Sequence, residues 1–367
     1  MEIIGLSIER RLPQENERGG KVMMKKTLSV VIPTHNREEL LREVLQALSR
    51  QTYPLESFEV VVVVDGSDDG TMEMLSSIEV PYKLSSIWQK QSGVARARNI
   101  GAEHAVGELI LFLDDDVIPD PTLLYEHVRC HCDNDNSVVI GRVSPAVKAK
   151  RPGWSKWEEQ LLERHFKTLA EKRKEVVGRH LYSGNFSVTR KHFLRVGGFD
   201  ETMTRAEDVD LGLRLEQIGL RFRFNPKADG IHCGYRSYDA WRKIPYQYGR
   251  LDVIMGRDKR YPNLSKDTFS AFHARNLFTR QSVKICLGRK HALNLTLGTL
   301  RSLAFCGDLL GLSHLTRYLY SGIANLLYWQ GASDELGGTT LFWQEINRHH
   351  PTVSQGSHSA ARASSQP

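Results

Sequence analysis

Two short runs of β-branched residues, each leading into a helical repeat or a tight turn, constrain this chain more than any other feature. Leu28-Ser29-Val30-Val31-Ile32-Pro33 and Phe58-Glu59-Val60-Val61-Val62-Val63-Val64 are too uniformly apolar to leave one face in water. Each therefore reads as a strand covered on both faces, the habit of a parallel sheet. Between them Thr34-His35-Asn36 supplies a loop and N-cap, and Leu40, Leu41, Val44, Leu45 and Leu48 recur at helical spacing over Arg37 to Arg50. The alternation continues with a helix from Asp69 to Ser77 and a weak strand at Tyr82-Lys83-Leu84. An Ala-rich helix from Gly93 to Ala105 and a strand over Glu108 to Leu113 follow. Strands alternating with helices predict an α/β fold: a doubly wound, mainly parallel sheet with helices on both faces.

Thr34, Asp65 and the run Asp114-Asp115-Asp116 all fall at carboxyl ends of these strands. In open α/β sheets ligands bind along that edge. Three adjacent carboxylates after a buried strand repel one another, and a divalent cation removes the conflict. Hard oxygen ligands would select Mg²⁺ or Mn²⁺. The bland alternative is an acidic turn capping the next helix, and Asp65 before Gly66 has a similar one as a turn residue.

Taken in order, PTHNR (33–37), VDGSDDGT (64–71), GVARARNIGA (93–102) and FLDDDVIPDP (112–121) resemble the family 2 inverting glycosyltransferases, which have the GT-A fold. The likeness continues through Gly184-Asn185-Phe186, Val196 to Glu201 and Glu207 to Leu215, and covers roughly 60% of the chain, residues 27–255. Each piece is weakly specific. Their order and spacing are strongly so.

The resemblance implies roles for particular residues. Pro33, Thr34, Asn36, Arg37 and Asp65 would hold the nucleotide base, and Arg96, Arg98 and Asn99 would border the nucleotide and its phosphates. Asp114 to Asp116 match the DxD element, Asp114 and Asp115 toward the ribose and Asp116 on the metal, with Asp114 also a candidate ligand. Asp208 matches the general base, beside Glu207. Gly184, Asn185 and Glu207 fall on the side of the sugar and acceptor. His232 would complete the metal shell or touch the diphosphate, unless it is an ordinary loop histidine. The implied reaction is one displacement that inverts the anomer: a base takes the acceptor's proton while a divalent metal, Mn²⁺ or Mg²⁺, neutralises the departing diphosphate. The expected donor is a UDP-sugar, and the acceptor a glycan or lipid-linked hydroxyl in polysaccharide, glycolipid or cell-envelope glycan synthesis. The run Tyr246-Gln247-Tyr248-Gly249-Arg250 lacks the tryptophan of the QxxRW element found in processive members, so transfer of a single sugar is expected.

Other classes fare worse. A nicotinamide-dependent oxidoreductase would need GxGxxG after the first strand, and a nucleotidyltransferase a Gly-rich, basic triphosphate loop; PTHNR is neither. A nucleotide-sugar-binding accessory protein of a glycan-synthesis machine would lack the base or the acidic triplet, and both are present. No nucleic-acid partner is expected.

Charge divides the chain. Residues 1–130 hold 14 Lys+Arg against 21 Asp+Glu, and residues 131–367 hold 36 against 22. Such a split suits a metal in one half and an anionic partner in the other. Trp154, Trp157, Leu161 and Leu169 recur at helical spacing between Trp154 and Glu175. Those tryptophans would stack on an acceptor sugar, sit at a bilayer interface or form a buried stripe. Beyond Ser270 leucines at helical spacing predict two or three helices, either packed on the catalytic domain or lying on an anionic membrane. The uncharged stretch Tyr318–Ser333 is 16 residues long and interrupted by polar residues, too short to span a bilayer.

Five cysteines without CxxC spacing, and no apolar leader, point to a cytoplasmic chain with peripheral membrane contact as the rival reading. The expected organisation is a loose extension over 1–25, with Met23-Met24 resembling a natural start, then a catalytic domain over 26–255. That domain divides into a nucleotide-binding half (26–140) and an acceptor and base half (141–255). A helical region (256–350) and a disordered tail (351–367) complete it.

Overall fold

A computed structural model describes residues 26–132, 135–146, 151–258 and 260–350; the extension expected over 1–25 and the tail expected over 351–367 lie outside the described residues. In chain order the first half runs β1 (Leu28–Thr34), α1 (Glu38–Leu48), β2 (Phe58–Asp65), α2 (Thr71–Ser77), β3 (Lys83–Gln89), α3 (Val94–His104), β4 (Leu109–Leu113), β5 (Val117–Pro119) and α4 (Leu123–His131). The second half comprises β6 (Ser137–Pro145), α5 (Gly153–Ala170), β7 (Asn185–Thr189), α6 (Arg190–Arg195), α7 (Glu207–Gln217) and β8 (Arg221–His232). Six helices close the described chain: α8 (Tyr238–Arg257), α9 (Leu264–His273), α10 (Leu277–Cys286), α11 (Lys290–Leu309), α12 (Ser313–Leu336) and α13 (Thr339–Arg348).

The strands form one sheet in the order β3-β2-β1-β4-β7-β6-β8-β5. β1, β2, β3 and β4 are parallel, with Val30 level with Val60 and with Leu111. The pairs β4–β7, β6–β7 and β5–β8 are antiparallel, while β6–β8 is parallel. The sheet is therefore mixed, and its parallel part is the half that the apolar runs announce. Side chains alternate along these strands as the pleat requires. Val30, Val60 and Leu111 pack with Leu41 and Leu45 of α1 on one face, and Val31, Ile110 and Phe112 pack with Phe186 and Leu211 on the other. β3 is an edge strand, mostly exposed, which explains why its apolar signal is weak.

The last helices form a second body around Trp241, Trp329 and Phe342. Its centre is the crossing of α8 and α12, where backbones touch. A Cβ on Gly249 would lie 1.9 Å from the Tyr328 carbonyl, and one on Gly331 2.0 Å from that of Tyr246. α8 thus packs with the C-terminal helices, while its Leu251 and Met255 also pack with Ala206 and Leu213. The stretch Tyr318–Ser333 lies within α12, with Ile323, Ala324, Leu327 and Trp329 buried in this core. Among the described residues no helix is long and apolar enough to cross a membrane.

Candidate active site

A cavity of about 410 Å³ opens at the carboxyl ends of β1, β2 and β4. Pro33, Thr34, Arg37, Asp65, Arg98, Asp114, Asp115, Asp116, Glu207, Asp208 and His232 all line it. Residues separated by up to two hundred positions in sequence meet there because the parallel strands end together and α7 starts beside them.

On the β2 side Asp65 is buried, and its carboxylate accepts from Gln89 Nε2 (2.6 Å), Ser92 N (2.7 Å) and Gly93 N (2.9 Å). It holds the 89–93 loop in place, so much of its accepting capacity is spent within the protein. Gly66 next to it has a φ of +71°, and a Cβ there would meet Gln91 N at 2.6 Å, so the turn has room only for glycine.

The acidic triplet is divided between two cations. Arg37 donates to Asp115 (2.8 Å) and Asp116 (2.6 Å), while Arg98, almost wholly buried, donates to Asp114 (2.8 Å) and Glu207 (3.0 Å). Burial lifts the Asp115 carboxyl to about 6 in spite of Arg37. Burial pushes Asp116 in the same direction, but His232 and Arg37 outweigh it and hold that carboxyl well below the usual range. His232 Nε2 stands 3.5 Å from Asp116 Oδ2. Gly234 leaves open the space beside that carboxylate, since a Cβ there would lie 2.3 Å from Oδ2. Arg151 fixes this loop by donating to the carbonyls of Gly234 (2.7 Å) and His232 (2.9 Å).

Among the described residues no three His, Cys, Asp or Glu side chains converge as a ready-made metal cage. One carboxylate and one imidazole with free space beside them fit the pattern in which substrate phosphates supply the remaining oxygens. The donor set therefore suits an ion that arrives with a diphosphate.

The third wall is the start of α7. Ala206 precedes it at φ +59°, a left-handed conformation uncommon for a residue with a side chain. The following turn directs Glu207 onto Arg98 and sets Asp208, half-buried, on the cavity wall, where it accepts from Val209 N (2.8 Å) and weakly from Ser183 N (3.4 Å). Burial and the neighbouring Glu207 charge raise the Asp208 carboxyl, with Arg98 opposing, to about 7. A carboxyl near neutrality can exchange protons at physiological pH.

Other expected residues lie off the cavity. Asn36 faces away, bonded to Asp68 through both its side-chain nitrogen (2.7 Å) and its oxygen (2.9 Å). Asn99 clips Phe199 by its backbone N–H and carbonyl, and Arg96 forms an exposed pair with Glu201, so both brace the 198–201 turn. Asn185 is fully buried and bridges the carbonyls of Arg142 and Ala228 while pairing with His127. It tethers β7 to β6 and β8. Gly184, its neighbour, does reach the site: its carbonyl accepts from Asp114 N at 3.1 Å. Trp157 is buried edge-on to Trp241, and Trp154 donates to the Arg236 carbonyl, so the tryptophans join the helical body to the site loop, and neither lines the cavity. Residues that line the cavity without having been expected include Tyr182, Arg205, Arg236 and Tyr248. Only Tyr248 carried a signal, through its place in the run compared with QxxRW.

Against solved structures, the chain superposes on a mannosyltransferase of Pyrobaculum calidifontis, solved with GDP-Man and Mn²⁺, with a TM-score of 0.59 over 85% of this chain and 87% of that one, at 22% identity. The fold is GT-A, with carboxylates lining a cavity at its strand ends. Residues 29–197 match the family described as Glycosyl transferase family 2. An uncharacterized glycosyltransferase of Bacillus subtilis, YfnE, is 32% identical over 282 residues, which span 63% of this chain and 72% of that protein. The chain belongs to glycosyl transferase family 2. A validoxylamine A glucosyltransferase of Streptomyces hygroscopicus subsp. jinggangensis is also 32% identical, over 68% of this chain. The aligned part spans 65% of that relative's length.

Proposed function

We propose that this protein is a metal-dependent, inverting glycosyltransferase that moves a single sugar from a UDP-sugar to a hydroxyl of a glycan or lipid-linked acceptor. One observation carries the reading: Asp208, with its raised carboxyl, lines the same cavity as the Asp114–Asp116 triplet, and Arg98 ties Asp114 to Glu207, the residue next to Asp208. The Mn²⁺ and GDP-Man held by the similar mannosyltransferase support a metal and a nucleotide-sugar.

In this reading the nucleotide lies between the 33–37 loop and Asp65. Asp116 and His232 would hold the divalent ion, which supplies neutralisation of the diphosphate charge when bound. Arg236 and Arg205 add positive charge around the departing group. Asp208 accepts the proton of the acceptor hydroxyl as it attacks the anomeric carbon, and Arg98 keeps Glu207 from competing for that proton. Tyr182 and Tyr248, which line the same cavity as Asp208, narrow the space left to water.

A panel of UDP-, GDP- and dTDP-sugars, each with Mn²⁺, Mg²⁺ or EDTA, tests the proposal by release of nucleoside diphosphate. Turnover of UDP-sugars that EDTA abolishes is the expected result. Undiminished turnover in EDTA would remove the metal, and a preference for GDP- or dTDP-sugars would remove the uridine assignment.

A further inference from the structure

The C-terminal helices leave a large apolar surface uncovered. α11 turns Leu300 and Ala304 inward, but its outer face carries Leu295, Phe305 and Leu309, placed seven, three and four residues apart through Ser302 and so aligned along one side. The turn into α12 adds Leu310, Leu312 and Leu315. Leu309 and Leu310 are each 72% exposed and Phe305 62%. A soluble surface rarely gathers so many large apolar side chains in one place.

Charge around this surface is one-sided. Residues 276–320 contain Arg280, Lys284, Arg289, Lys290, Arg301 and Arg317 against a single acid, Asp308. Asp308 accepts from the Tyr320 hydroxyl at 2.6 Å. Lys284, Arg289 and Lys290 stand exposed at one end of α11, and Arg317 lies beyond the other. At 1.5 Å per residue a 20-residue helix holds these ends about 30 Å apart, so both reach a surface only if α11 lies along it.

We propose that the outer face of α11 and the turn into α12 dock on an anionic phospholipid bilayer, with α11 in the plane of the headgroups. Basic residues flanking an exposed apolar face match a surface that is both apolar and negatively charged. A second copy of the chain matches poorly, because a two-fold interface would set the same cations against each other. The docked face is also connected to the active site. Asp308 packs against Gly153 at the start of α5, two residues after Arg151, which holds the His232–Gly234 loop. Docking itself rests on the exposed apolar and basic residues alone and requires neither the donor nor the acceptor proposed above.

Flotation of the full chain with vesicles decides the matter. Vesicles of phosphatidylcholine with about one-third phosphatidylglycerol should carry the protein, and pure phosphatidylcholine or about 0.5 M salt should release it. Lys284→Gln/Arg289→Gln/Lys290→Gln should weaken binding about fivefold per residue. Phe305→Gln/Leu309→Gln/Leu310→Gln should abolish it while circular dichroism and donor hydrolysis stay unchanged. The charge variant alters only exposed side chains, so it decides the question if the apolar variant loses its fold. Absence of wild-type flotation at every composition, or equal flotation of the charge variant, overturns the proposal. So does a concentration-dependent dimer in sedimentation that the apolar variant disperses, without vesicle binding.

Discussion

Replacing Asp208 by Asn keeps the size of the side chain and removes its charge, which separates the two things that the carboxylate does. Its pKa rises from an ordinary value near 3.8 to about 7. At about 1.4 kcal/mol per unit this shift corresponds to a ceiling of about 4 kcal/mol. Asp208 retains contact with solvent in the cavity, and screening there brings the expected effect to roughly 1–2 kcal/mol. The sign follows from proton counting: between the two values the native protein keeps a proton that the unfolded chain has lost, so stability falls as pH rises through this window. Asp208→Asn is free of that loss. Urea denaturation should therefore find the variant as stable as wild type near pH 4 and more stable above pH 7. Transfer by the variant should drop about 10²–10⁴-fold with nucleotide affinity kept, the usual worth of a positioned base. Wild-type activity should rise with pH through about 7. A variant that is less stable than wild type at pH 8 would refute the raised carboxyl, and one that keeps wild-type turnover would refute its role as base.

Asp116→Asn should weaken Mn²⁺-dependent binding of UDP, measured calorimetrically, by on the order of 10–100-fold, because a neutral amide is a poor partner for a dication. Asp65→Ala releases Gln89 and the Ser92 and Gly93 amides, and nucleotide affinity should fall about tenfold or more while bound donor still turns over. Arg98→Ala leaves Asp114 and Glu207 without their buried cation and should cost about 3–5 kcal/mol in denaturation, with activity lost alongside. Gly249→Val drives a side chain into the Tyr328 carbonyl. The α8–α12 crossing should open, seen as a lower melting temperature and proteolysis within the C-terminal helices.

The parallel half of the fold was legible because β1, β2 and β4 are buried on both faces, which demands unbroken apolar runs. Antiparallel pairing of β7 with β4 was not, since Asn185-Phe186-Ser187-Val188-Thr189 alternates polar and apolar residues yet is buried throughout. Its polar positions are satisfied by His127, His131, His192 and neighbouring carbonyls. This explains why Asn185 resembled a site residue from its neighbours alone. Carboxylates at strand ends were visible because repulsion makes them costly without a partner. Arg37 and Arg98 as those partners needed the third dimension, as did the tethering of the His232 loop by Arg151. The role of Trp157 depended on Trp241, some eighty positions later, and helical spacing cannot show which face meets it.

The stereochemistry of the sugar first released from an α-linked donor bears most directly on a single displacement assisted by Asp208. Proton NMR of donor hydrolysis, recorded before the free sugar mutarotates, distinguishes the two anomers. The β-anomer should appear first with wild type and almost no sugar should be released by Asp208→Asn, whereas initial release of the α-anomer would contradict the account.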